Sequence, residues 1–278
     1  MKISIITPNL NQGKFIEETM KSVINQVGDF ELEYIIVDGL SSDNSLEIIK
    51  KYETKCKGLS YKWISEKDSG QSEAINKGFR MATGEIINWL CADDLLEPGA
   101  LQKIADYFIR NPEEKVVFGQ NVFIDENGKI FKYLKSRKFK RSELIKRWNS
   151  VYVKFHLAQP STFVKREILD TIGYLDEKNS LCMDYEWYLR INKKYEFNFV
   201  DEIFSKSRFH EDCKSVKHMD LQYKESIDVS KRNWNENFLY YFFSYLIYLP
   251  YIYACIISAK LRKKSPTFNR FMNFIKGV

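Results

Sequence analysis

Through the first hundred residues, short apolar runs alternate with stretches whose apolar positions recur every three to four residues. Lys2 to Thr7 is β-branched and closed by Pro8, and a helical period follows from Phe15 to Gln26. Tyr34-Ile35-Ile36-Val37 is a second apolar run that stops on Asp38-Gly39, and Ser42-Asp43-Asn44-Ser45 then offers cap residues for a helix from Leu46 to Glu53. Tyr61 to Ser65 reads as a third strand, Gln71 to Ala82 as a helix ended near Gly84, and Ile86 to Leu90 as a fourth strand. The alternation predicts an α/β fold whose mostly parallel sheet is covered on both faces.

Beyond a helix from Gly99 to Ile109 the pattern loosens. Val116 to Ile124 and Lys129 to Leu134 flank Asp125-Glu126-Asn127-Gly128 as a hairpin, and Gln159 to Val164 reads as a further strand. Asp184 to Lys193 reads as a helix, and Phe197 to Phe209 as one or two last short strands before His210. A parallel first half with a mixed second half points to one α/β domain rather than two.

The fourth strand runs straight into Asp93 and Asp94. Ligands of parallel sheets gather at the carboxyl ends of the strands, and here those ends carry Pro8-Asn9, Asp38-Gly39, Glu66-Lys67-Asp68 and Asp93-Asp94. Adjacent carboxylates repel, so a divalent cation with oxygen ligands is the first expectation for the pair. A solvated turn that caps the helix near Glu97-Pro98 explains the same residues, and the two readings are compatible.

Composition narrows the function classes. The net charge of +6 is carried by the last 42 residues: Asn237 to Val278 hold six basic residues and no acidic one. Removing six from 43 leaves 37 basic against 37 acidic residues, so the remainder is formally neutral and nucleic acid is not an expected partner. Five cysteines, Cys56, Cys91, Cys182, Cys213 and Cys255, are scattered without a C-x-x-C pair, and a disulfide framework or structural zinc site is not expected. Met1-Lys2-Ile3-Ser4 leads directly into a strand without signal-peptide character, which predicts cytoplasmic synthesis and retention.

In order, Ser4 to Asn9, Val37 to Asp43, Ser65 to Gln71 continuing to Gly78 and Gly84, Asp93-Asp94, and Asp184 to Arg190 resemble the inverting nucleotide-sugar glycosyltransferases of family 2, which have the GT-A fold. The resemblance covers Met1 to Asp212, with 213–237 left as a helical linker and 238–278 as a tail. It implies metal-dependent transfer of a sugar from a nucleoside-diphosphate donor, most plausibly a UDP-sugar, to a glycan. It also implies site roles. Asp94, joined by His210, binds Mn2+ or Mg2+ with the diphosphate, and Asp93 contacts the ribose or assists the cation. Asp38 accepts a hydrogen bond from the base, Pro8 and Asn9 line the nucleoside pocket, and Asp68 faces the donor. Asp184 is the base that removes the acceptor's proton, with Glu186 and Trp187 on the acceptor side.

The residues themselves agree with this chemistry without requiring it. A departing diphosphate needs charge stabilisation, and the chain has neither G-x-x-x-x-G-K-[ST] nor G-x-G-x-x-G to supply backbone amides. An alcohol nucleophile needs a base. Met183 stands where the family often has an acid before Asp184, which removes a supporting carboxylate. Asp184 and Glu186 point about 200° apart on a helix, so one of them faces the reaction. By default Asn76 and Lys77 belong to a solvated helix face. Two rivals remain: a nucleotidyltransferase, whose glycine-rich basic loop is reduced here to Gly13 and Lys14, and a silent module that binds nucleotide sugar.

Phe238 to Ala259 is an uncharged run of 22 residues, long enough as a helix (about 33 Å) to cross a bilayer core. Six tyrosines and Pro250 inside it, with basic residues on both flanks, favour helices lying in the interface. Phe268, Phe271, Met272 and Ile275 lie opposite Arg270 and Asn273, a pattern suited to an anionic membrane surface. The expected location is therefore peripheral, on the inner face of the cell membrane, with a polyprenyl-linked sugar or growing glycan of surface polysaccharide assembly as acceptor. Packing of the aromatic run on the enzyme, or on a second subunit of a homodimer, is the alternative.

Overall fold

The computed structural model describes residues 1–56, 59–146 and 155–233, so the aromatic and basic tail at 238–278 lies outside the described residues. The parallel half consists of β1 (Lys2–Asn9), α1 (Ile16–Ile24), β2 (Glu31–Asp38), α2 (Ser45–Lys55), β3 (Ser60–Ser65), α3 (Gln71–Met81) and β4 (Ile86–Trp89). There follow β5 (Leu95–Leu96), α4 (Ala100–Arg110), β6 (Val116–Ile124), β7 (Ile130–Leu134) and α5 (Arg141–Ile145). After a 3₁₀ turn at Gln159–Ser161 come β8 (Thr162–Lys165), α6 (Ile168–Ile172), α7 (Met183–Ile191), β9 (Asn198–Arg208), α8 (Lys214–Lys217) and α9 (Met219–Asn233).

Among the described residues the strands form one sheet in the order β3-β2-β1-β4-β8-β6-β9-β5, with β7 paired to β6. The first four are mutually parallel. The second half is mixed: β8 is antiparallel to β4 and β6, whereas β6 and β9 run parallel. One apolar layer, built on Ile16, Met20, Ile49, Leu101 and Phe108, packs α1, α2 and α4 on one face. The other, built on Ile75, Phe79, Leu144, Ile168, Trp187 and Val229, packs α3, α5, α6, α7 and α9 on the opposite face.

The parallel strands read as unbroken apolar runs because both faces are covered. β1 and β2 are buried over seven of their eight residues each. Of the buried polar residues ahead of their last positions, Ser4, Thr7 and Glu33, the charged one is Glu33, fully buried. Burial pushes its carboxyl up, but hydrogen bonds from Lys62, Ser4 and Thr83 outweigh that and hold it at about 2. One carboxylate thus ties β1, β2, β3 and the turn before β4.

Several expectations shift. The strand expected from Gln159 starts at Thr162, because Pro160 lies in the 3₁₀ turn. The one or two strands expected over Phe197 to Phe209 are a single strand of 11 residues. Asn76 is buried rather than solvated: its amide donates to the Leu175 carbonyl and accepts the Leu175 N–H, each at 3.0 Å, and so fixes the loop before α7. The segment expected as a helical linker is helical as far as Asn233 and joins the core: α9 packs on α7, with Val229 in the apolar layer of Trp187. No helix among the described residues is long and apolar enough to cross a membrane.

Candidate active site

At the carboxyl ends of β1 and β4 opens a cleft of about 660 Å³, whose lining includes Pro8, Asn9, Asp68, Asp93, Asp94 and Asp184. Its floor is set by one pairing. β5 joins β9 antiparallel, Leu95 opposite Lys206 and Leu96 opposite Ser205, which draws the two acids against the end of β9. From α1, Thr19 Oγ1 lies 2.8 Å from the carbonyls of both Ala92 and Asp94 and braces the same loop.

Arg208 organises what results. It is 3 % exposed, and each face of its guanidinium is committed. Nε donates to the Asp93 carbonyl at 2.9 Å, Nη1 to the carbonyls of Asp125 and Glu126 at 3.3 and 3.0 Å, and Nη2 to Glu18 at 2.6 Å. The Arg208 backbone N–H donates to Asp94 Oδ1 at 2.9 Å. Asp94 thereby ties its loop to the end of β9: burial, then the adjacent Asp93 charge, push its carboxyl well above the usual range, and Arg208 offsets them only in part.

Asp93, by contrast, turns its carboxylate toward His210, whose Nε2 lies 3.0 Å from Asp93 Oδ2. Asp94 and His210, expected together, fall in two separate groups of potential ligand atoms that share Asp93. The two acids sit in the turn between β4 and β5, closed by the Asp94 N–H on the Cys91 carbonyl at 3.0 Å, which sends Asp94 toward the end of β9 and Asp93 toward the histidine. Cys213 and Cys91 complete the surroundings, each in a separate group of potential ligand atoms that includes Asp93 and lies within 4.8 Å.

At the other end of the cleft, Asp38 is fully buried and does not line the space. Its Oδ1 accepts Asn9 Nδ2 at 2.6 Å and Ser41 Oγ at 2.5 Å; its Oδ2 accepts Ser41 N–H at 3.1 Å and Ser65 Oγ at 2.7 Å. Four bonds fill a carboxylate's acceptor capacity, so the expected role as acceptor for the base meets a complete shell. Asn9 Oδ1, buried and without a partner, is the open acceptor at this rim. Asp68 accepts the Gly70 N–H at 2.9 Å, and burial raises its carboxyl despite that bond. A Cβ on Gly39 would sit 2.6 Å from Asp68 Oδ2, so this close approach requires glycine.

Asp184, in the first turn of α7, lines the cleft and makes no hydrogen bond or ion pair with other described residues. Glu186 and Trp187 do not line it. Glu186 is turned away and clasped by Arg190 at 2.8 Å, and Trp187 is buried against Phe79 and Trp89 with Nε1 donating to the Gly173 carbonyl. Successive helical residues diverge by about 100°, so only one of the three faces the cleft. Reading the sequence did not single out Arg208, Cys91, Cys213 or Lys214, although the last is a cleft cation whose burial lowers its pKa.

The chain is similar to known proteins over most of its length. The family model described as glycosyl transferase family 2 matches residues 4–173. An uncharacterized glycosyltransferase of Methanocaldococcus jannaschii is 30% identical over 258 residues, spanning 89% of this chain and 87% of that protein. The poly(ribitol-phosphate) beta-N-acetylglucosaminyltransferase TarP of Staphylococcus aureus is 30% identical over 69% of this chain and 63% of its own length, so the match spans just under two thirds of that relative. Among solved structures, S. aureus TarS in complex with UDP-GlcNAc superposes with a TM-score of 0.61 at 20% identity, covering 81% of this chain and 66% of that one. The mannosyltransferase PcManGT of Pyrobaculum calidifontis, in complex with GDP-Man and Mn2+, does so at 0.57 and 16% identity over 95% and 87%. These likenesses confirm the GT-A fold, and with the family match they establish that the chain is a glycosyltransferase of family 2.

Proposed function

We propose that this enzyme moves one sugar from a nucleoside-diphosphate donor, a UDP-sugar, to a hydroxyl of a glycan or lipid-linked glycan, with inversion at the anomeric carbon. The observation that carries the reading is the sharing of one cleft by Asp93, whose Oδ2 lies 3.0 Å from the buried His210 Nε2, and the free carboxylate of Asp184. The first suits a cation that neutralises the leaving diphosphate, and the second suits proton removal from the acceptor.

A divalent cation fits the donor set, because a carboxylate oxygen and an imidazole nitrogen 3.0 Å apart match neighbouring positions around an ion with bonds of about 2.1 Å. The imidazole nitrogen favours a transition-metal ion, Mn2+ among them, over Mg2+, which prefers oxygen. Asp93 and His210 hold it in this reading, while Asp94 keeps the loop in place through Arg208. When bound, the cation supplies positive charge to the diphosphate oxygens. The chain's own residues do the rest. Asn9 Oδ1 accepts the imide N–H of the base, held for that task by Asp38. Asp68 faces the donor. Asp184 accepts the proton of the attacking hydroxyl as the bond to the anomeric carbon forms and the bond to the diphosphate oxygen breaks.

Surface polysaccharide assembly as the setting is supported by the polymer named for TarP as its acceptor and by the lipid-suited tail pattern in the sequence. The experiment is a screen of nucleotide sugars for Mn2+-dependent release of nucleoside diphosphate with membrane lipid extract as acceptor, followed by analysis of the product's anomeric configuration. One preferred donor and an inverted linkage are expected. Net retention would rule the mechanism out.

A further inference from the structure

We propose that Cys213 is a third ligand of the cation held by Asp93 and His210, so that the site takes a thiophilic divalent ion, Zn2+ or its analogue Co2+, in preference to Mg2+. The inference rests on the reading of Asp93 and His210 as cation ligands and goes beyond it. The Asp93 carboxylate, the His210 ring and the Cys213 sulfur have ligand atoms within 4.8 Å of one another. Asp93 Oδ2 is 3.0 Å from His210 Nε2 and 4.0 Å from Cys213 Sγ. At a tetrahedral angle, bonds of about 2.1 Å to oxygen and nitrogen and 2.3 Å to sulfur separate Asp93 from His210 by about 3.4 Å and from Cys213 by about 3.6 Å, so each pair needs about 0.4 Å of adjustment.

The local fold converges the two side chains on one carboxylate. The His210-x-x-Cys213 spacing closes a turn in which the Cys213 N–H donates to the His210 carbonyl at 3.2 Å, and the His210 N–H lies 3.3 Å from Cys213 Sγ. Both side chains are buried, at 4 % and 7 % exposure, with the Phe15 ring tilted against the imidazole at 4.6 Å between centroids, so neither is a casual surface group. Cys91 is the weaker sulfur. Its group joins Asp93 and Asp94 but not His210, whereas Cys213 shares the group of the imidazole, and the Cys213 sulfur gives up a 3.2 Å bond to the Arg208 carbonyl when it loses its proton. Coordination replaces the S–H bond with a sulfur–metal bond and releases the proton to solvent, leaving carboxylate and thiolate to balance the two positive charges. Soft sulfur beside imidazole selects against hard Mg2+.

The test is a Co2+ titration of the full chain followed by absorption. Visible d–d bands report cobalt bound in any ligand field, and a near-ultraviolet sulfur-to-cobalt charge-transfer band reports a thiolate ligand. The native chain is expected to show both, with release of protons, and excess Mg2+ should not remove them. Cys213→Ser should lose the near-ultraviolet band and bind Co2+ about tenfold or more weakly, whereas Cys91→Ser keeps both signals. Visible bands without the charge-transfer band, or a charge-transfer band that survives in Cys213→Ser, would overturn the proposal and leave the Asp93–His210 cation site intact. Absence of any Co2+ binding would overturn both. If Cys213→Ser does not fold, the native near-ultraviolet band and the proton count decide alone.

Discussion

Asp184 has no partner among the described residues, while the acids around it are tied down: Asp38 by four hydrogen bonds, Asp94 by Arg208, Glu186 by Arg190. A base must be free to take a proton, and that contrast separates it from carboxylates that hold structure. Asp184→Asn should lower transfer by about 10²- to 10⁴-fold while nucleotide affinity stays near native, measured by steady-state turnover and calorimetry. Trp187→Ala should instead destabilise the fold by about 3–5 kcal/mol, read from denaturant midpoints, because the ring lies between Phe79 and Trp89 in the core. At this scale the sequence indicated which residues gather but not which way they face. Asp93 and Asp94 are neighbours, and only the contact of Asp94 with Arg208, 114 positions away, tells anchor from ligand. The same holds for Asp38, whose partners come from three separate strand ends.

The long elements were legible because each carries its own period, and the parallel half follows expectation within a few residues at every boundary. The short ones were not. β5 has two residues, and α5 and α6 have five each, too few to show a period, so they depend on what they pack against. α9 illustrates how such packing reaches the site. Glu225 accepts the backbone N–H groups of Ser180 and Leu181 at 3.0 and 3.1 Å, which fixes the loop leading into α7 and thus the position of Asp184. Removing those bonds in Glu225→Ala should cost about 1–3 kcal/mol locally. Faster amide exchange across that loop and a lower kcat, with nucleotide binding kept, would bear this out. Unchanged exchange would show that the loop holds itself. Glu33 makes a second test between elements. Its carboxyl lies at about 2 in the folded chain against an ordinary 4.5, so its contribution is complete above pH 4.5 and disappears as pH falls toward 2. The size is about 3 kcal/mol. Glu33→Gln should flatten the acid limb of the unfolding curve between those values.

Taken as a whole, the molecule places a parallel half and a mixed half against each other so that both contribute residues to one cleft. β9 crosses between them. It begins beside β6, pairs with β5, and ends on Arg208 with His210 just beyond, so the long strand carries the second half's contribution to the first half's acidic loop. This convergence was legible in the sequence only as an order of motifs, because pairing across a hundred residues leaves no local period. Cation dependence is the property of the whole cleft on which the proposed function turns. The most direct measurement is calorimetric titration of UDP into the native chain and into Asp93→Asn, each with Mn2+ and with chelator. Mn2+ should strengthen UDP binding at least about tenfold, or 1.4 kcal/mol, in the native chain and have almost no effect in the variant. Equal UDP affinity with Mn2+ and with chelator in the native chain would contradict the account.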